Sequence, residues 1–442
     1  MEAIRTGKAT LYPLARQSPV MTDFHSFEGL RSAVADRSFD RPPVIVSNAH
    51  VTGLGVTRAL KRAGIPVIAI DRNGRGVAPY STAVDLAGRV TYPLDDEDGF
   101  REDVEALAAA VDHDPVAFAC MDEWVHAFGR TRPEGVTLSW DPDSAGRVLD
   151  KYRLYGIAER LGVPYPETYR LDSAEGEAAR LTHLDPGEAA DRLGFPLVVK
   201  PALKRRFEEL VGTNVVEVAD REEYRDLIDR AREAGVRVMA QEKVPVETGE
   251  DRSLASYVPP EGDPLAVVGN ARVRYPPGYG TSCVVDRVED PEIRRRALSV
   301  LDDAGYHGIS EAEFVRDADR DTHVLLDVNT RPWKWIGMPV ATGANLPLAA
   351  YRDTTDADLP RPTVTDPAAG ERWVSLADYL SLLGGEDRVA DVLSRSEWEA
   401  FLSGSFEDDD GLAAAVYAPS DPRPAYQLVR TKTGAAEYYC AC

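Results

Sequence analysis

Alternation of apolar and polar positions is absent from the first forty residues and becomes regular from Pro43. Residues 1–40 therefore read as a poorly ordered or surface-wrapping arm. The order that follows is strand, loop, helix, strand: VIVSN at 44–48, AHVTGLG at 49–55, VTRALKRAG at 56–64 and PVIAID at 66–71. Apolar runs that alternate with a helical period predict βαβ units and a parallel sheet. Further strands are expected at 89–92, 115–120 and 136–140, with a helix at 100–111 between the first two. The turn at Asp141-Pro-Asp-Ser marks a boundary, after which 150–171 begins as an amphipathic helix stopped by Gly162 and the prolines.

Beyond it the period-2 signal predominates. Strands are predicted at 193–201, 238–246, 253–258, 264–275 and 280–286. The segment 202–218 reads as a charged loop or short helix followed by a strand, and helices are expected at 222–234 and 291–304. Residues 311–315 and 323–329 form a hairpin around a polar turn, in which Asp317, Asp319 and Asp321 are turn acids on a solvated face. After 350 a Pro/Asp/Thr-rich linker leads to helices at 375–383 and 395–402, an acidic run at 407–410 and a strand-like AAVYA at 414–418.

The hairpin also carries candidate chemistry. Side chains alternate along a strand, so Asp327, Asn329 and Arg331 project from one face while Leu326 and Val328 point the other way. Asp and Asn are poor strand formers, so LLDVN followed by Arg needs a reason. Folding the hairpin brings Glu313 across from this row. Two readings stand: acids of a solvated face, or three oxygen donors for Mg²⁺ with water and phosphate completing the shell.

Composition narrows the partners. The formal net charge of −23 repels nucleic acid and anionic lipid, and no run of about 18 apolar residues is present to span a bilayer. With no apolar secretory segment at the start, the sequence reads as cytoplasmic. Only 8 residues of the chain are lysine against 74 acids, a balance resembling a halophile's solubility adaptation, and each lysine is informative by its rarity. Lys151 opens a helix, unfavourable against the dipole unless an anion lies there. Lys200 ends an apolar strand, where it either meets phosphate or snorkels to the surface. The four cysteines, Cys120, Cys283, Cys440 and Cys442, make no disulfide framework or zinc site. Cys440 and Cys442 are expected to be free and exposed.

Gly53, Gly55 and Asp71 sit as in a dinucleotide-binding fold, but Arg58 stands where the third glycine belongs. Asp122-Glu123 falls past the carboxyl end of the 115–120 strand, either in a ligand crevice or as a helix cap.

Taken in order, Asp150-Lys151, Phe195-Pro-Leu-Val-Val-Lys200-Pro, Gln241-Glu242-Lys243-Val244, Glu313-Phe and Asp327-Val-Asn-Thr-Arg331 resemble the ATP-grasp superfamily over roughly 150–350. The likeness is greatest to its carboxylate–amine ligase-like branch, including the D-aspartate ligase and carbamoyl-phosphate-synthase types, through the stretch Arg272–Ser282. It implies an α/β and α+β chain: an arm at 1–40, a parallel-sheet pre-ATP-grasp domain at 41–145, a two-lobed ATP-grasp domain at 146–350 with a lid at about 164–243, and a small C-terminal appendage at 351–442.

The resemblance further implies that Lys151 and Lys200 contact ATP phosphates. Glu242, Lys243 and Val244 form the adenine hinge, and Glu250 reaches the ribose. Glu313, Asp327 and Asn329 hold one or two Mg²⁺, or Mn²⁺, while Arg331 and Arg272 stabilise the transferring phosphoryl group. Asp327 departs from the family's usual Glu. The charged segment 202–212 replaces a glycine-rich lid, so Lys204, Arg205 or Arg206 takes over phosphate contacts or lies exposed. The implied activity is ADP-forming ligation of a carboxylate to an amine, less often a thiol. The substrate is expected near Arg274, Tyr279, Thr281, Ser282 and Trp333, closed over by residues 50–55 and Asp122-Glu123, with a homodimer possible. The rivals are a nicotinamide-dependent enzyme built on the βαβ unit and a non-catalytic ATP-binding module.

Overall fold

An apolar strand buried on both faces needs cover on both sides, and VIVS, VIAID and VAFA are buried along their whole length. In the computed structural model they form a parallel six-stranded sheet ordered Phe24–His25, Leu86–Arg89, Val67–Asp71, Val44–Ser47, Val116–Ala119 and Thr137–Leu138. The structure describes residues 24–172, 181–364, 371–384, 389–408 and 411–433. Most of the expected N-terminal arm, together with Cys440 and Cys442, lies outside the described residues, as do the side chains of Arg205 and Arg206.

Two expected boundaries in the first sheet move, each for a local reason. Residues 51–55, read as loop, are the opening turns of helix Val51–Lys61. Its glycines serve close packing: a Cβ would lie 2.7 Å from the Asn48 carbonyl oxygen at Gly53 and 2.5 Å from Ile336 Cγ2 at Gly55. The strand expected at 89–92 is Leu86–Arg89, because the Thr91 N–H donates to the Asp103 carboxylate at 2.7 Å instead of to a ladder.

The second sheet, four strands ordered Thr168–Arg170, Val238–Glu242, Leu197–Pro201 and Val216–Val218, is antiparallel throughout. The segment Lys204–Val211 between two of its strands is a helix, anchored by the buried Phe207. The third sheet has seven strands, ordered Thr322–Asn329, Gly308–Asp317, Asp251–Val258, Leu265–Tyr275, Thr281–Val288, Arg372–Val374 and Leu412–Ala414. All of its pairs are antiparallel except the last.

The C-terminal region is thus woven into the third sheet. Arg372 pairs with Asp286 at 2.5 Å and Glu397 at 2.9 Å, and Arg58 pairs with Asp421 at 2.9 Å. The strand there is Leu412–Ala414 and not 414–418, since the Val416 carbonyl turns to accept from Arg58. The expected divide at 145 falls inside helix Pro142–Leu149, capped by Asp141. That helix shares one apolar cluster with the first sheet and with helix Pro291–Asp303. Among the described residues no helix is long and apolar enough to cross a membrane.

Candidate active site

The hairpin register sets Glu313 opposite Asp327, the facing predicted from the sequence, and Glu311 opposite Asn329. A register shift beside Glu313 and Phe314 leaves Leu326 without a partner, and the Leu326 carbonyl instead accepts the Tyr155 hydroxyl at 2.8 Å. Val328 points into the apolar core. At the far end of the hairpin, Asp317 is buried rather than solvated. It accepts the N–H groups of Asp319 and Arg320 and pairs with the Arg320 guanidinium at 2.8 Å, so it builds the turn.

Lysines converge on the face that Asp327 and Asn329 share. Lys151 donates to Asp327 Oδ1. Lys204 reaches Asp327 Oδ2 at 2.6 Å and Asn329 Oδ1 at 2.8 Å. Burial by itself would raise the Asp327 carboxyl, but Lys151 and Lys204 outweigh it and hold the group far below the usual carboxylate range. The same pairing, together with Asp122, raises Lys204 against its burial. Lys200 is also buried, and among the described residues its ammonium has neither hydrogen bond nor ion pair. Burial and the neighbouring Lys151 bring it down to about 8. Lys151 opens helix Lys151–Leu161 with its charge answered by Asp327, which resolves the apparent conflict with the helix dipole.

The donor set suits a hard cation. The Asp327 and Asn329 oxygens already converge on the Lys204 ammonium, and the Glu313 carboxylate stands across the strand pair. Among the described residues no group of three or more His, Cys, Asp and Glu forms a metal cluster. Coordination here would use the Asn329 amide oxygen with water and phosphate.

Arg331 leaves the strand end and pairs with Asp122, in the first turn of helix Asp122–Thr131. Asp122 is held at about 2, since Arg331 overcomes the burial that would raise it. Neither acid caps that helix: Met121 is at the cap, and Glu123 accepts the Tyr92 hydroxyl at 3.0 Å. Arg272 and Arg274 separate, because the ladder shifts register between them and their partners. Arg272 is half-exposed, 3.7 Å from both Glu250 and Asp286. The partly buried Arg274 pairs with Asp251 at 2.6 Å and approaches Glu313 at 3.8 Å.

The remaining expected residues spread around this centre. Strand Val238–Glu242 stops before Lys243 and Val244. The Glu242 carboxylate is gripped by Arg320 at 2.6 and 2.7 Å, and Lys243 pairs with Glu217 at 2.6 Å. Glu250 pairs with Arg252 at 2.9 Å and lines a cavity of about 640 Å³ with Asp290, Arg296 and His323. Asp327, Asn329 and the converging lysines do not line that cavity. Tyr279 is exposed and bonds Glu217 at 3.0 Å, Ser282 is buried, and Trp333 packs edge-on against Trp335 at 5.1 Å.

Sequence reasoning missed Glu311, which accepts from Trp335 Nε1 at 2.7 Å and Asn329 Nδ2 at 3.1 Å. Burial and Glu313 push its carboxyl up. It missed as well the buried Asp378, which takes Lys334 and Lys432 at 2.6 Å each, with Lys334 also 3.1 Å from Thr281. Lysine rarity was the available signal: three of the eight meet at Asp327 and its surroundings, and two more at Asp378. In the βαβ unit Asp71 accepts the Ala49 N–H at 2.9 Å, and the Ala49 carbonyl is taken by Ala78 at 3.0 Å.

No protein-family model matches the chain. The carbamoyl phosphate synthase large chain, C-terminal section, of Methanopyrus kandleri is 23% identical over 226 residues, 48% of this chain and 38% of that relative's length. Among solved structures, N5-carboxyaminoimidazole synthetase from Staphylococcus aureus complexed with ADP matches with a TM-score of 0.55 at 11% identity, covering 74% of this chain and 80% of that one. The biotin carboxylase domain of Hydrogenobacter thermophilus 2-oxoglutarate carboxylase, complexed with MgADP, ADP and bicarbonate, matches with a TM-score of 0.56 at 17% identity, covering 76% and 74%. The architecture of this chain is that of the ATP-grasp fold.

Proposed function

From that fold and the lysine-ringed hairpin, we propose that the chain is an ADP-forming ligase. It activates a small-molecule carboxylate with Mg-ATP and couples it to an amine. The observation that supports this most is the convergence of Lys151, Lys200 and Lys204 on the face carrying Asp327 and Asn329, with Glu313 opposite. Phosphoryl transfer asks a protein for positioning and charge neutralisation more than for a nucleophile. Cationic groups beside largely buried oxygen donors supply both.

In this reading Lys151 and Lys200 hold the phosphates, Glu242, Lys243 and Val244 provide the adenine hinge, and Glu250 meets the ribose. Glu313, Asp327 and Asn329 hold one or two Mg²⁺, or Mn²⁺, whose charge screens the phosphate oxygens. Arg331, fixed by Asp122, faces the transferring group, and Arg274 rather than Arg272 has the position beside Glu313. The substrate carboxylate oxygen attacks the γ-phosphorus, the bond to the bridging oxygen breaks, and ADP leaves. The amine nitrogen then attacks the acyl carbon, phosphate departs with the C–O bond electrons, and the nitrogen loses its proton. Residues 41–145, 146–350 and 351–442 act as the pre-ATP-grasp, ATP-grasp and C-terminal units. Thr281, Ser282 and Trp333 line the acceptor side, and Tyr279 stands at its rim.

The test is an ADP-release screen with Mg-ATP in high salt against pools of carboxylates and amines. The expected result is ADP release that depends on one carboxylate. ATP bound with no ADP released by any pair would favour a non-catalytic module, and NADH binding seen by fluorescence would favour the βαβ rival.

A further inference from the structure

Two lysines pair with one carboxylate at Asp327 in a chain that holds only eight lysines. Lys151 and Lys204 each take one Asp327 oxygen, and Lys204 also takes the Asn329 amide oxygen. The ammonium of Lys204 therefore sits between the same two oxygens that a divalent ion would need. A monovalent and a divalent cation do not share one pair of ligand oxygens at these separations, because their mutual repulsion is poorly screened in a buried site.

Lys204 is carried by a segment distinct from the hairpin. It is the first residue of helix Lys204–Val211, which follows directly on the Lys200 strand and is anchored through Phe207 in the core of the four-stranded sheet. The helix has no side-chain cap at Leu203. The N-terminal N–H groups of a helix without a side-chain cap favour an anion.

We propose that Lys204 is an internal cation of this site, exchanging between two partners: Asp327 and Asn329 in the protein alone, and a nucleotide phosphate when one arrives. The inference rests on the Mg-ATP reading above and deepens it. A polyphosphate gives Lys204 a new counter-charge, its departure frees the Asp327 and Asn329 oxygens, and the metal enters with the nucleotide. Binding of metal alone is weakened by the lysine, which competes for the same oxygens, so metal and nucleotide binding are coupled in the favourable sense. The charged segment thereby does what a flexible phosphate-covering loop would do, and adds an order to binding.

Removing the ammonium has opposite effects on the two ligands, which general damage to the site would not produce. The experiment titrates the full chain with Mn²⁺ in the absence of nucleotide, reading free Mn²⁺ by electron paramagnetic resonance. Separately, it titrates the chain with ATP in excess EDTA. K204M is expected to bind Mn²⁺ at least about tenfold more tightly than the parent and metal-free ATP about tenfold more weakly, in the usual range of site-to-site coupling. K204R keeps the charge and is expected to hold Mn²⁺ affinity near the parent's, which guards against misfolding of the methionine variant. Equal Mn²⁺ affinity in parent and K204M, with the parent still binding MgATP, overturns the internal-cation role and leaves the nucleotide reading standing. A parent that binds no ATP with or without Mg²⁺ overturns the nucleotide reading and the exchange with it.

Discussion

The side-chain amide of Asn329 donates to Glu311 across the hairpin at 3.1 Å, and to Glu313 at 2.7 Å. With both amide hydrogens given to carboxylates, its oxygen is turned toward Lys204. Glu311 is in turn held by Trp335 Nε1 at 2.7 Å. Glu311 therefore fixes which end of the amide meets a cation. Glu311→Gln keeps the Trp335 bond but sets an NH₂ against the Asn329 NH₂. Outer-shell partners of metal ligands typically change affinity by about 10–100-fold, and a loss of that size in Mn²⁺ affinity is expected in E311Q with the melting temperature little changed. The double variant E311Q/N329D should recover it, since a carboxylate at 329 accepts from the new amide.

Asp327→Ala removes the counter-charge of Lys151 and Lys204 together. Both ammoniums are largely buried, with side-chain exposures of 5% and 17%. Breaking a buried pair from one side typically costs about 3–5 kcal/mol. The variant should release no ADP and should also unfold at clearly lower denaturant. Asp327→Glu retains the charge, and is expected to keep most of the stability while changing the dependence of turnover on Mg²⁺ concentration. Equal denaturation midpoints for parent and D327A would show that the lysines find other partners.

The hairpin was legible because its chemistry contradicts its propensity: Asp and Asn inside an apolar strand demand a partner, and alternation fixes which face they share. Lys151 and Lys200 were legible for a related reason, as rare charges in unfavourable places. Glu311 was not, since a glutamate in the same strand as Glu313 carries no mark distinguishing support from ligand. Only the register, which sets it opposite Asn329, does so. Arg272 was read beside the phosphoryl group and Arg274 on the acceptor side, but a shift in ladder register, invisible to a period-2 pattern, sets Arg274 and not Arg272 near Glu313. The joining of strands Arg372–Val374 and Leu412–Ala414 to the third sheet is a contact of long sequence separation, and short strands of three residues carry too little pattern to announce it.

Lys200 gives the site a pH dependence with a definite sign. In the protein alone burial and Lys151 bring its ammonium down to about 8, so it is charged below that pH and progressively neutral above it. A phosphate beside it favours the charged form. Binding of metal-free ATP should therefore be nearly independent of this group below pH 8 and should weaken as pH rises above it, with proton uptake on association. Calorimetric titration at pH 9 in two buffers of different ionisation enthalpy reads that uptake directly. K200M should abolish it, whereas proton uptake persisting in K200M would assign it to another group.

The C-terminal region is tied to the hairpin by a second buried carboxylate, and the two arms of that tie should not contribute equally. Asp378 accepts from Lys334 at 2.6 Å, from Lys432 at 2.6 Å and from Ser375 at 2.6 Å. Burial by itself would raise its carboxyl, but the lysines and Ser375 hold it at about 2. Lys334 and Asp378 have side-chain exposures of only 8% and 10%, whereas Lys432 is 40% exposed. Solvent screens the Lys432 arm, and K432M should change stability by no more than about 1 kcal/mol. Asp378→Ala leaves the Lys334 ammonium buried without its carboxylate and should lower stability by about 3–5 kcal/mol. His50, which burial and then Lys334 push down to about 3, is already neutral at pH 7 and offers no compensating charge. Guanidinium unfolding of the two variants beside the parent measures both arms. Because Lys334 lies three residues after Arg331, D378A should also lower ADP release, and a variant as stable and active as the parent would mean that Thr281 alone suffices to hold Lys334.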